Sequence, residues 1–404
     1  MKSTTTLTIT DDIKLIVPDS LDLITPYVLQ EQLDWFEDEI KFLRRLLKPG
    51  EKIIDIGANY GVYALSMAKK VLPDGHIWAF EPASSTAKLL AQSIAANGFD
   101  HVTLDRSALS NRIGSVQFSM SEHAELNAVV HAGESVANSE TVPLTTLDQC
   151  MDAYDWKDIS FVKIDAEGEE ENIIEGGHRF FAEHSPLIQY EIKAGSGLNL
   201  GLANVFAALG YQSYRLVPGL DVLVPFDPQS ADGFLLNLFC CKPDRAARLA
   251  ADNWLVLAAP PPSEDVVLND AETQRYGWRQ SLATLPYGRN ITDRWEATMA
   301  TPDACKPLEE ALALHTLSHD VSVPATVRFA ALQASFQKLW GLCLQDATHL
   351  RLISFARVAT EFGARQIAVE ALGQQLRALF KSMDVDLAEP FLPAYRRFDD
   401  LPPK

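Results

Sequence analysis

The chain has 404 residues, 47% of them hydrophobic and 22% charged, with 35 basic against 54 acidic side chains for a formal charge of −19. That length calls for two domains, and the composition is that of an ordinary globular protein. The acidic field repels phosphate backbones and anionic bilayers, which excludes a general nucleic-acid binder.

Cys150, Cys240, Cys241, Cys305 and Cys343 follow no metal-ligand spacing and read as thiols of a reducing compartment. The first residues, MKSTTTLTITDDIKL, lack an apolar signal core, and no stretch has the length and apolarity of a membrane span. The expected location is cytoplasmic, without membrane insertion.

Residues 1–24 alternate weakly, as a short strand pair would. Leu33, Phe36, Ile40, Leu43 and Leu47 recur at helical spacing and predict one amphipathic helix over 30–46, ended by Pro49-Gly50. Residues 1–49 are expected to pack on the domain that follows. Ile53-Ile54-Asp55-Ile56 then reads as a buried strand that runs into the turn Gly57-Ala58-Asn59-Tyr60-Gly61 and at once into a helix. Glycines in such a turn let a ligand approach the backbone, and the helix N-terminus beyond offers unpaired N–H groups to an anionic group.

Further βα units follow. The strand Ile77–Phe80 closes at Glu81-Pro82, and Ser84 or Ser85 is expected to cap the helix that stops at Asn97-Gly98. Val102–Leu104 is a third strand. Residues 111–145 break the rhythm with short alternating pieces at 115–120, 128–130 and 141–144, read as extra β structure or a substrate-side loop. Thr146 caps a short helix. Phe161–Ile164 leads into Asp165-Ala166-Glu167-Gly168-Glu169, and Leu187–Glu191, Tyr211–Val217 and Gly233–Cys241 complete seven expected strands. Repeated βα units imply a mostly parallel sheet with right-handed crossovers. Residues 50–243 are read as this α/β domain and 244–404 as a mainly helical region. Within the latter, apolar stripes at 329–343, 352–359 and 367–379 predict helices that turn at Gly363, a hairpin of tetratricopeptide character.

Glu81 ends the second strand about 20 residues past the glycine turn, the offset of a ribose-binding acid. The turn itself lacks the G-x-G-x-x-G dinucleotide fingerprint, and no G-K-[ST] makes it a phosphate loop. The ordered set Asp55-Ile56-Gly57-Ala58-Asn59-Tyr60-Gly61, Ala79-Phe80-Glu81-Pro82, Ala108-Leu109-Ser110, Thr146-Leu147-Asp148 and Lys163-Ile164-Asp165-Ala166-Glu167-Gly168-Glu169, with Gly210-Tyr211 later, resembles the FkbM family of class I methyltransferases. The resemblance spans roughly residues 50–215. It departs mildly at Ala166, where valine is common, and at Glu170, where an apolar residue is usual.

The resemblance implies a Rossmann-like fold, S-adenosyl-L-methionine as cofactor, and O-methylation of a sugar, glycan or natural-product hydroxyl. It places Asp55, Gly57, Asn59 and Gly61 at the methionine end of the cofactor, Glu81 at the ribose, and Ser107 and Ala108 beside the adenine. A hydroxyl is a poor nucleophile, so a base or a metal must assist. Asp165, Glu167 and Glu191, at strand ends on the cofactor side, are the catalytic candidates, with helix capping the competing role for the first two. A divalent ion is compatible with these acids, though no ligand spacing supports one. Lys163 is placed to pair with one of them, and His123 and His184 read as loop residues. Trp35, Tyr27 and residues 111–145 are candidates to shape the acceptor pocket. Two rival readings stand beside the enzyme: a catalytically idle binding or scaffold protein whose helical tail mediates docking or oligomerisation, and a Rossmann oxidoreductase.

Overall fold

The computed structural model describes residues 3–121, 124, 127–130, 138–194, 197–260, 266, 268–300, 302–382 and 387–394. His123 and part of the expected substrate-side loop lie outside them, as do Pro261 and Pro262. Two compact units form, one from residues 1–214 and 236–246, the other from 215–235 and 247–404.

The first unit begins with an antiparallel hairpin, β1 (Thr4–Ile9) and β2 (Ile13–Pro18). The expected single helix over 30–46 is instead two, α1 (Ile24–Gln32) and α2 (Asp38–Leu46). The break has a physical cause. Leu33 takes a left-handed conformation (φ 56°) that ends α1, and Arg44 grips Asp34 through two hydrogen bonds of 2.7 and 2.8 Å, folding the link back on α2. Ile40 and Leu43 then reach the core, while Leu33 stays 65% exposed.

The central βα units are β3 (Lys52–Ile56), α3 (Val62–Val71), β4 (His76–Phe80), α4 (Ser84–Asn97) and β5 (Val102–Asp105). The short β6 (Ala108–Leu109), β7 (Gly114–Ser119) and β8 (Ser139–Thr145) form a separate three-stranded sheet in the order β6-β8-β7, with Phe118 bridging Val129. This is the extra β structure expected over 111–145. Next come α5 (Leu147–Ala153), β9 (Ile159–Ile164), α6 (Glu170–Glu175), α7 (His178–Glu183), β10 (Leu187–Glu191), the two-residue pair β11 (Lys193–Ala194) and β12 (Gly197–Leu198), α8 (Gly201–Ala208), β13 (Gln212–Val217), β14 (Val222–Pro225) and β15 (Asn237–Cys241).

Within the first unit the main sheet runs β13-β15-β10-β9-β3-β4-β5. Pairings from β5 to β10 are parallel, and β15 is antiparallel to both its neighbours. The expected seven-stranded, mostly parallel sheet is therefore present. Strand order reverses between β3 and β9, which opens a crevice at their carboxyl ends. Ile53, Ile54, Ile77, Phe80, Val162, Ile164 and Ile188 are all at most 2% exposed, as expected of strands covered on both faces. At α4 the first helical residue is Ser84, with Ala83 as N-cap. Glu140 from β8 supplies the cap by accepting from the Ser84 N–H and Oγ, each at 2.6 Å.

The chain leaves the first unit within α9 (Pro243–Ala251). In the second unit the short helices α10 (Asp270–Tyr276), α11 (Trp278–Ser281), α12 (Pro286–Arg289) and α13 (Thr292–Met299) precede the long α14 (Pro302–Ser318), α15 (Ala325–Gln345), α16 (His349–Phe362) and α17 (Arg365–Ser382). Each long helix packs on the next. Phe329 and Phe336 stack on Phe362 at centroid distances of 5.9 and 5.1 Å, and Trp278 and Trp295 are fully buried. Gly363 (φ 91°) ends α16 as the periodicity requires, with its own N–H and that of Ala364 returning to the Thr360 and Ala359 carbonyls. Residues 215–235, expected in the α/β domain, group instead with these helices: Leu220, Val222 and Val224 share a core with Phe329 and Leu332.

Candidate active site

The turn after β3 is held by the neighbouring strand. Gly57 and Ala58 donate their N–H groups to the Phe80 carbonyl (3.1 and 2.9 Å), and Gly57, Asn59 and Gly61 all have positive φ. Only glycine fits at 57, because a Cβ there would lie 1.8 Å from the Asp165 carbonyl oxygen. At Gly61 a Cβ would meet the Leu90 side chain at 2.4 Å. The turn thereby leaves room for a ligand at its backbone.

The cavity above it encloses about 1000 Å³, part of it open to solvent. Its lining includes Gly57, Ala58, Asn59, Glu81, Ser107 and Ala108, together with Lys163, Asp165 and Glu167. Trp35, Phe118 and Val129 supply apolar wall. Three expected site residues are not in that lining. Asp55 lies wholly buried, Gly61 is the N-cap of α3, and Glu191 reaches within 4.8 Å of Asp165 and Glu167. Tyr27, a candidate for the acceptor pocket, is also outside the lining and 51% exposed.

Glu81 is 6% exposed, and its two oxygens accept from the Asn59 and Ala83 N–H groups at 2.9 Å each. A carboxylate has about four acceptor positions, so roughly two remain, enough for the two hydroxyls of a ribose. Burial pushes its pKa up to about 7, against the pull of those two N–H groups. The residues present therefore fit an adenosine-bearing group.

Next to the turn lies a charge cluster around Lys163. Lys163, 4% exposed, places Nζ 2.7 Å from Asp165 Oδ2 and 5.0 Å from the Tyr63 ring centroid. Burial works against its charge, but Asp165 and Asp55 outweigh it and hold the ammonium protonated well above the ordinary lysine range. Neither Asp55 oxygen makes a hydrogen bond of good geometry among the described residues. Burial pushes this acid up to about 6, with Lys163 opposing and Asp165 reinforcing the shift.

Glu191 is pushed up to about 9, first by burial, then by the Asp165 charge, its hydrogen bond with Asp165, and the Glu167 charge. Burial and the two neighbouring acids thus favour the protonated form of Glu191, which can donate to Asp165. Asp165 thus lies between the Lys163 ammonium and Glu191. One carboxylate oxygen from each of Asp165, Glu167 and Glu191 lies within 4.8 Å of the others, close enough to share a hard cation.

Glu170 ties the turn that follows Asp165. Its carboxylate accepts from the Ala166 N–H (3.0 Å) and the Gly168 N–H (3.1 Å), so the turn is tied by the residue that departs from the family pattern. Glu169 is buried and accepts from Ser110 Oγ and Asn172 Nδ2. Sequence reasoning missed Glu37 and Tyr63. The Tyr63 hydroxyl donates to Glu37 at 2.5 Å, and both residues line the cavity. The position of Tyr63 in the first turn after Gly61 was a usable signal, whereas Glu37 has none before the link between α1 and α2 is seen.

Residues 55–213 match the profile of the methyltransferase FkbM domain. Among solved structures, similarity extends to methyltransferase FkbM from Methylobacillus flagellatus KT, with 16% identity over 50% of each chain and a TM-score of 0.34. A SAM-dependent O-methyltransferase from Thermotoga maritima shows 15% identity over 59% of this chain and 77% of that one (TM-score 0.30). A putative rRNA methylase from Clostridium thermocellum shows 12% over 50% and 92% (TM-score 0.32). The curated proteins contain no match. The fold assignment rests on this chain's own strand order, and the family on the matched domain. Residues 55–213 form a methyltransferase FkbM domain, and the chain is an S-adenosylmethionine-dependent methyltransferase.

Proposed function

We propose that the enzyme methylates a hydroxyl oxygen of an uncharged acceptor, of the sugar, glycan or natural-product class, with Asp165 as general base. The observation that carries this reading is Asp165 itself: a cavity-lining carboxylate paired to Lys163 at 2.7 Å, with Glu191 beside it. S-adenosylmethionine supplies, when bound, a methyl group on a positively charged sulfur. Asn59 and Gly57 would hold its amino acid end, Glu81 its ribose, and Ser107 and Ala108 its base. Asp55 and Gly61 act from below by shaping the turn.

Asp165 would take the hydroxyl proton and hold it on its carboxyl group, while the acceptor oxygen would gain the methyl group and the donor sulfur would keep the electron pair of the carbon–sulfur bond. Lys163 and Glu191 fix the carboxylate's direction, and orientation of this kind contributes much of the rate in a displacement. Trp35, Phe118 and Val129 give an apolar wall of the kind that packs against a sugar-ring face. The surrounding acids, together with the net charge of −19, disfavour a phosphate-bearing acceptor.

The test is methyl incorporation from labelled S-adenosylmethionine into a panel of glycosides and hydroxylated small molecules. Asp165→Asn is expected to bind S-adenosylhomocysteine as the wild type does and to lose about 10²–10⁴-fold in turnover, the usual contribution of a general base. Turnover that survives in Asp165→Asn overturns the assignment. Turnover abolished by a chelator and restored by a divalent ion would instead assign the three acids to a metal.

A further inference from the structure

The helical unit holds a second cluster of ligand-type side chains that methyl transfer does not use. His315 and His319 stand four residues apart at the end of α14, and Glu361 faces them from the last turn of α16. His315 Nε2 is 2.7 Å and His319 Nε2 3.4 Å from the same oxygen, Glu361 Oε2. The two imidazole centroids are 4.4 Å apart, and the three donor atoms lie within 4.8 Å of one another. His315 and Glu361 are 7% exposed, and the His319 side chain is 21% exposed, which leaves a route from solvent. From these residues we propose a site for a single divalent transition-metal ion of the zinc class, bound by His315, His319 and Glu361.

Three features of the surroundings support an ion rather than a plain ion pair. The first is the His319 tautomer. Its Nδ1 lies 2.9 Å from the His315 carbonyl oxygen, which can only accept, so the ring proton belongs on Nδ1. With the proton on Nδ1, Nε2 is the nitrogen that faces Glu361 Oε2, the position from which an imidazole binds an ion shared with that carboxylate. The second is the outer shell. Metal-bound histidines commonly donate their other N–H to a carbonyl, and bound carboxylates are themselves hydrogen-bonded. Arg357 Nε donates to the other Glu361 oxygen, Oε1, at 2.5 Å, which orients the carboxylate and leaves Oε2 for the metal.

The third is fixed backbone. The Gly219 N–H donates to the Glu361 carbonyl (2.8 Å), and a Cβ at Gly219 would lie 2.4 Å from Glu361 Cβ, so this turn presses directly on the ligand. Arg328 holds the end of α14 through the Ser318 carbonyl (2.9 Å) and the same turn through the Leu220 carbonyl (3.1 Å).

The donor set is two imidazole nitrogens and one carboxylate oxygen, a combination known for zinc with a fourth position held by water. At metal–ligand distances of about 2.0–2.1 Å, tetrahedral ligand atoms lie about 3.4 Å apart, which the His319–Glu361 pair already matches. The His315–Glu361 contact opens by about 0.7 Å when the ion enters. Bound there, the ion clamps α14 to α16.

Full-length protein stripped with a chelator is titrated with zinc chloride by calorimetry and with cobalt(II) by visible absorption, and its thermal midpoint is followed with and without zinc. One equivalent should bind, cobalt should give the spectrum of a four-coordinate site, and zinc should raise the midpoint. Glu361→Gln and the volume-conserving His319→Gln should each weaken zinc by more than the roughly 10–100-fold typical of losing an outer-shell partner. Asp165→Asn should keep the equivalent. Absence of bound zinc with an unmoved midpoint overturns the proposal and leaves a histidine–glutamate hydrogen-bond network. So does an equivalent that survives both helical variants but is lost in Asp165→Asn, since the ion would then belong to the strand-end acids.

Discussion

Replacing Glu191 with glutamine tests the proton assignment at the catalytic cluster through stability alone, without knowledge of the acceptor. In the folded protein Glu191 keeps its proton up to about pH 9, against a model carboxyl value of 4.5. Between those two values unfolding releases a proton, so the unfolded state binds fewer protons and stability falls as pH rises. The contribution is complete below the unfolded pKa and is lost as pH climbs through about 9. One proton limits the slope to about 1.4 kcal/mol per pH unit. Over three units the loss is at most about 4 kcal/mol, and solvent reaching this half-buried group lowers it.

Glutamine mimics the protonated acid and can still donate to Asp165, so Glu191→Gln should remove this slope and leave the site packed. The assay compares urea midpoints of the two proteins at about pH 5.5, 7 and 8.5. The variant should match the wild type at the lowest pH and gain on it steadily as pH rises. Parallel curves would refute the reasoning, because they would mean that Glu191 ionises alike in both states and does not donate to Asp165.

Two further variants probe the cofactor side. Gly57→Ala combines a left-handed φ of 77° with a Cβ 1.8 Å from a backbone oxygen that cannot rotate away, and should cost at least about 2 kcal/mol by thermal unfolding. A change within about 0.5 kcal/mol would show that the turn is not packed against Asp165 in this way. Glu81→Gln keeps size but loses charge and acceptor positions, and should weaken S-adenosylhomocysteine about 10–100-fold by calorimetry. Because Glu81 sits at about 7, wild-type affinity should fall as pH drops through that value, and the variant should flatten the profile.

The parts legible in the sequence were those in which neighbours along the chain decide the structure. The run Ile53–Gly61 specifies a strand and a turn by local pattern, and Glu81 follows at the offset that a βα unit sets. Seven strands were readable because each is a short apolar run closed by a turn. The helix over 30–46 failed for a nonlocal reason. Its periodicity was sound over Ile40–Leu47, but the Asp34–Arg44 pair and the left-handed Leu33 outweighed it further upstream. Glu37 could not be assigned because its partner Tyr63 is 26 residues away. The same holds for His315 and His319, whose i, i+4 spacing is visible but whose third member, Glu361, joins only when α16 packs. Asp55 was named from the motif, at the methionine end of the cofactor, but its burial was not legible there: it is fully buried and outside the cavity lining, with Lys163 nearby.

The charge arrangement explains how one cavity can favour substrate over product. Lys163 is flanked by Asp55 and Asp165, with Glu167 and Glu191 close by, so among the described residues the acidic groups of this cluster outnumber its buried cation. A site with that surplus disfavours anionic acceptors and favours a positive charge. The methyl donor carries one on sulfur and S-adenosylhomocysteine does not, so transfer removes the feature that the acids attract. Protonation of Glu191 keeps the surplus from becoming ruinous to the fold, since three adjacent ionised carboxylates would repel one another in a half-buried cleft. On this reading Lys163 and the proton favoured on Glu191 serve one end: they aim the Asp165 carboxyl group and limit the negative field around it.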